Sequence, residues 1–263
     1  MASPRFTLLY ALLLCLPSRA ECQETSRWLI QQQRGSLTVY SEFPVDLDHI
    51  EAQLQSVSDQ LQNQLGIEGS DQAIELVLFR SQSNYHKYLA EKLPEALERR
   101  AVFFRNDDVS QIYVWNSRWL MVDLRHEITH VRLHQHLPFL PLWIDEGLAE
   151  YFETNADEHG ASSRREAVLW KSRLGFPPRL EHLEQLNAAT VMQGDDYRNS
   201  WAWISFLLHH NTATRDLLRS YLEEIHSGGV PGPFSSYAAE QITGFSGLAN
   251  SYFRKMHFRL IFD

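Results

Sequence analysis

Two histidines four positions apart, His126 and His130, flank a glutamate, Glu127, in the run HEITH. On a helix, residues i and i+4 share a face, so both imidazoles can reach one metal ion. Glu127, next to the first of them, can take a proton from a water activated there. A catalytic zinc needs a third protein ligand and one open position. Fifteen residues separate His130 from Glu146, which sits in the run WIDEGLAEYF from Trp143 to Phe152. Pro138 and Pro141 fall in the turn between the two runs and let a second helix fold back across the first. Glu146, near the start of that helix, can then present its carboxylate to the metal. Gly147 lets backbones approach closely, and Ala149 keeps the packing face small. Glu150 lies one turn after Glu146. It is placed to accept the free N–H of a ligand histidine, which fixes the tautomer and orientation of the ring.

These residues need a framework. Strands are expected at 36–40, 73–79, 101–104 and 111–115. The stripe Leu47, Ile50, Leu54, Val57, Leu61 and Leu65, closed by Gly66, predicts a helix over 46–65. Further helices are expected at 82–92, 121–136, 144–153, 166–174, 200–210, 214–226 and 246–259. Residues 154–160 read as a polar loop, 176–193 as irregular, and 228–233 (GGVPGP) as the loop between the last two helices. Strands come first and helices later, an α+β arrangement. The reading is one domain over 21–263. Its 21–160 half carries the metal helices, and its helical 161–263 half closes a cleft that holds the metal.

The 263 residues are 44% hydrophobic and 22% charged, an ordinary globular balance that excludes disordered and collagenous classes. A formal net charge of −9 argues against a nucleic-acid partner, which needs a basic patch. Residues 1–20 read as a signal peptide. Arg5 precedes the apolar run 6–16, Pro17 breaks it, and Ser18-Arg19-Ala20 offers a cleavage site. The run is too short to span a bilayer, so a secreted or periplasmic protein is expected, with no stable membrane insertion after cleavage. Cleavage after Ala20 removes two arginines and no acid, taking the net charge from −9 to −11. It also removes Cys15 and leaves only Cys22, so no disulfide framework is available.

HEITH followed by WIDEGLAEYF resembles the gluzincin zinc metallopeptidases. It is most similar to the peptidase MA-like group, in which such a pair of helices recurs. The resemblance covers residue 36 to the C-terminus and is sharpest at 119–153. It implies a zincin-like α+β domain with a small mixed sheet, an HExxH helix and a helical C-terminal part. It implies one zinc per chain on His126, His130 and Glu146, with Glu127 as general base and Glu150 behind a ligand. Related enzymes supply a second oxyanion donor from a later helix, and Tyr197, in the run YRNSWA, is the candidate here. The substrate would be a peptide or protein, and the 111–115 run is the candidate edge strand to pair with it. The G-x-M-E-N run of the aminopeptidase branch is absent. A non-catalytic zincin-fold binding protein of the cell envelope is the alternative. His134 and His136 read as solvated or capping, His209 and His210 as partners of a helix C-terminus, and Trp201 and Trp203 as packing.

Overall fold

A computed structural model of the chain describes residues 27–106, 109–154, 163–187 and 192–255. The signal-peptide reading at 1–20, Cys22, and 155–160 of the expected polar loop lie outside the described residues.

The chain opens on a hairpin of β1 (Ile30–Arg34) and β2 (Leu37–Ser41). β1, with the sequence IQQQR, is largely exposed and carries no apolar alternation, so nothing local announces it. α1 (Leu47–Leu65) starts at Asp46, whose side chain accepts from the backbone N–H of Asp48 and His49, and stops at Gly66 with φ 77°. Only glycine takes that left-handed conformation without cost. β3 (Ile74–Phe79), α2 (Gln82–Lys92), a 3-10 turn at Pro94–Ala96, β4 (Ala101–Asn106) and β5 (Val109–Trp115) follow. Helices then take over: α3 (Leu120–His136), α4 (Leu142–Phe152), α5 (Ser163–Arg173), α6 (Leu180–Leu183), α7 (Gly194–His209), α8 (Thr212–His226), α9 (Phe234–Gln241) and α10 (Phe245–Lys255). α7 begins six residues before the expected 200, and the Asp196 carboxylate accepts from the Gln193 backbone N–H at 2.9 Å to cap that earlier start. α6 falls within the stretch read as irregular, and α9 follows the 228–233 loop.

The five strands lie in the order β1-β2-β3-β5-β4. β3 runs parallel to both neighbours, and the outer pairs β1–β2 and β4–β5 are antiparallel. This corrects the expectation that 111–115 forms an edge. β5 is paired on both sides, with Val114 opposite Leu78 of β3 and Ala101 of β4. Its Ile112, Tyr113 and Val114 are buried, as suits a strand inside a sheet. The sheet's edges are β1 and β4, and on β4 Phe104, Arg105 and Asn106 are exposed.

The main core joins one sheet face to α1, α3, α4 and the C-terminal helices. A smaller core of Val77, Phe79, Tyr85, Leu89 and Tyr113 lies under α2. α4 packs chiefly on α7. A Cβ at Gly147 would lie 2.8 Å from Ile204 Cγ1 and 2.9 Å from the Ser200 carbonyl oxygen. The glycine thus lets α4 rest directly on the backbone of α7. Among the described residues no helix is long and apolar enough to cross a membrane.

Candidate metal centre

α3 and α4 fold against each other and bring three side chains together. His126 Nε2 lies 3.3 Å from His130 Nε2, and Glu146 Oε2 lies 3.5 Å and 3.6 Å from those two atoms. Zinc bonds nitrogen and oxygen at about 2.0–2.2 Å, so neighbouring atoms of a tetrahedral shell sit about 3.3–3.6 Å apart. The triangle has that size.

The far side of each ring explains why these nitrogens point inward. His126 Nδ1 meets Glu153 Oε2 at 3.1 Å, and His130 Nδ1 meets Asp145 Oδ1 at 2.8 Å. An ionised carboxylate only accepts, so each ring donates through Nδ1 and turns a lone pair inward at Nε2. Glu146 Oε2 is buried with no hydrogen-bond partner among the described residues. Three acceptors therefore converge on one point, an arrangement that is repulsive until a cation sits among them. Two imidazoles and one carboxylate form a donor set suited to zinc, and the residues present fit that ion. The same demand for positive charge sets the proton affinities. Burial lowers the His126 pKa, but the nearby carboxylates of Glu146 and Glu153 outweigh it and push the value up to about 10. Burial raises Glu146 and Asp145, yet the two histidines on the former, and His130 and His134 on the latter, hold both below the usual carboxylate range.

The carboxylate behind His126 is Glu153, where Glu150 was expected. At about 100° per residue, position i+7 returns to within about 20° of Glu146 on the helix surface, whereas i+4 is displaced by about 40°. Glu150 instead pairs with Arg164 of α5 at 2.7 Å, and Arg164 also holds Glu153 at 2.6 Å. The end of α4 is fixed to the metal helix by Arg125, buried on α3. Its guanidinium donates to the carbonyls of Phe152 at 3.0 Å and Thr154 at 3.1 Å.

Asp145 was not foreseen, although it adjoins Glu146 in the sequence. Its second oxygen, Oδ2, meets His134 Nε2 at 2.9 Å, so the partly exposed His134 is tied to the centre through Asp145. Phe103 of β4 stacks on His134 at 5.6 Å and on His130 at 6.5 Å between ring centroids. His136 lies elsewhere, stacked on His226 at 4.0 Å. His209 takes a side-chain partner, the Tyr151 hydroxyl, at 2.6 Å. Trp201 and Trp203 are buried in the core.

Glu127 is buried on α3, next to His126 in the chain. Tyr197 stands half-buried in the first turn of α7. Burial raises its phenol pKa, and the negative charges of Glu146, Glu150 and Glu127 raise it further while Arg99 opposes them. The ring is therefore within electrostatic reach of the centre and keeps its proton. Asp123, one turn before Glu127, is pushed up to about 6 by burial although Arg100 Nη2 pairs with it at 2.8 Å. Arg99 Nη2 comes within 3.9 Å of Glu146 Oε1.

No family model matches the chain, and no curated protein gives a match. Among solved structures, an M1 zinc metallopeptidase from Deinococcus radiodurans is similar at 19% identity and a TM-score of 0.43. The match covers 88% of this chain and 51% of that one, so the chain spans about half the length of that protein.

Proposed function

We propose that this chain is an exported, zinc-dependent hydrolase of peptide bonds, with a zincin-like α+β fold and one zinc on His126, His130 and Glu146. The observation that carries the reading is the buried triangle of inward-facing acceptors on α3 and α4. Zinc in that place supplies Lewis-acid polarisation of a carbonyl and makes water more acidic.

The chain's own residues supply the rest. Glu127, buried beside the first ligand position, takes the proton of the attacking water and carries it to the leaving amine. Tyr197, held in its neutral form, donates a hydrogen bond to the developing oxyanion. Glu153 and Asp145 hold the two rings in the tautomer that presents Nε2. The free edge of β4 offers backbone donors and acceptors to an extended peptide. The substrate is a peptide or protein, not a nucleic acid, and residues 1–20 direct the chain out of the cytoplasm.

The test pairs bound-metal analysis with cleavage of a mixed peptide library by wild type and Glu127→Gln. One tight zinc per chain is expected in both proteins. Cleavage should fall about 10²–10⁴-fold in the variant, the range commanded by a general base. Equal cleavage by both would overturn the assignment and leave a binding protein with a zinc site.

A further inference from the structure

Arg99 and Arg100 stand side by side just ahead of β4, yet their guanidinium groups are used differently. Arg100 is engaged by Asp123 at 2.8 Å, and its guanidinium carbon lies 6.0 Å from the centre of the Trp119 ring. The one ion pair of Arg99 among the described residues is the 3.9 Å approach to Glu146 Oε1. That is longer than a hydrogen bond, so the fork of N–H donors is largely unspent. The side chain is 37% exposed and thus open to solvent.

Its position is specific. Glu146 points Oε2 at the metal position and Oε1 towards Arg99. The charge of Arg99 also acts on Tyr85 of α2 and on Tyr197 of α7, so the guanidinium lies between elements that flank the centre. The Tyr85 hydroxyl is itself buried with no hydrogen-bond partner, a second unspent donor in that region. Arg99 is poorly suited to serve as an internal counterion. Glu146 is the carboxylate facing it, and a bound dication would satisfy that charge. Nor is it part of a general basic surface, because the chain carries a net charge of −9. It precedes Ala101, the first residue of the edge strand, by two positions. An extended peptide laid along β4 would therefore bring one of its residues past this guanidinium.

We propose that Arg99 reads a carboxylate on the substrate, close to the scissile bond. A guanidinium binds a carboxylate with two parallel N–H···O bonds, which makes the pairing strong and orientation-specific. The inference rests on the peptide-hydrolase reading, and two sources share its chemistry: an acidic side chain and the free C-terminus of the chain being cut.

The test measures binding, so it does not depend on turnover. Zinc-loaded Glu127→Gln protein is titrated with paired hexapeptide pools. One pair differs by Glu or Gln at an internal position; the other differs by a C-terminal carboxylate or carboxamide. In one of the two pairs the acid form should bind about 10- to 100-fold more tightly, the usual worth of a hydrogen-bonded charge pair. The pair that discriminates identifies the source. Arg99→Ala in the same background should abolish the difference, and Arg99→Lys should keep part of it. Equal binding of acid and amide pools in both pairs would overturn the inference, as would a difference that survives Arg99→Ala. Failure of the wild type to cleave any peptide would count against the hydrolase reading instead, and the binding difference would stand apart from it.

Discussion

The two candidate ligand histidines are held in place by different means. Behind His126 stand Glu153 and then Arg164, a guanidinium delivered by α5. Behind His130 stand Asp145 and then His134, an imidazole one turn further along the same helix. The first support needs the chain to travel beyond α4 and dock a later helix. The second is closed within the α3–α4 pair and covered by Phe103 of the sheet edge. One histidine is thus secured by tertiary docking and the other by helical spacing.

Removing the carboxylate that faces both histidines should have the largest effect. Glu146→Ala is expected to weaken zinc binding by more than the roughly 100-fold that a partner behind a ligand can command. Competition with a chromophoric chelator measures it, and unchanged affinity would remove Glu146 as a ligand. The next comparison separates the two supports. Asp145→Ala and Glu153→Ala should each cost about 10- to 100-fold in zinc affinity. Asp145 should lie at the upper end, because it alone bridges two histidines. A larger loss for Glu153 would reverse the ranking.

The smallest effect expected is on pH dependence. With the metal stripped, the His126 pKa stands at about 10 against an ordinary 6.5, because the carboxylates of Glu146 and Glu153 outweigh burial. A raised pKa means the pairing stabilises the metal-free fold fully below about 6.5 and is lost as pH climbs towards 10. Zinc must expel that proton, so its affinity should rise with pH across the same window. Calorimetry in buffers of different ionisation heat counts the protons released. Uptake with no proton release at pH 7 would show that His126 holds no proton on the nitrogen that faces the metal position.

The parts of the centre that were legible in advance are those set by spacing along one helix. HEITH predicts its shared face, and WIDEGLAEYF predicts a carboxylate near a helix start. The apolar stripe from Leu47 to Leu65 with its closing Gly66 predicts α1 to within a residue. What escaped depends on how separate elements cross. Asp145, Glu150 and Glu153 are all acids on one short helix, and only the packing of α4 over α3 decides which of them meets an Nδ1. His134 reads as an ordinary polar position until Asp145 is seen opposite it. Arg99 and Arg164 come from segments with no local signature. The place of β5 inside the sheet and β4 at its rim follows from pairing between distant strands, which no run of five residues contains.

Arg164 has a consequence for how the molecule matures. It gives no ligand, yet it neutralises the carboxylate that orients His126 and does so from a helix made after the metal motif. A metal ion that prefers the oriented ring must therefore also prefer the state in which α5 has docked. Zinc capture and assembly of the later helices would then form one linked equilibrium. The chain would acquire its full affinity for the ion only when that contact closes.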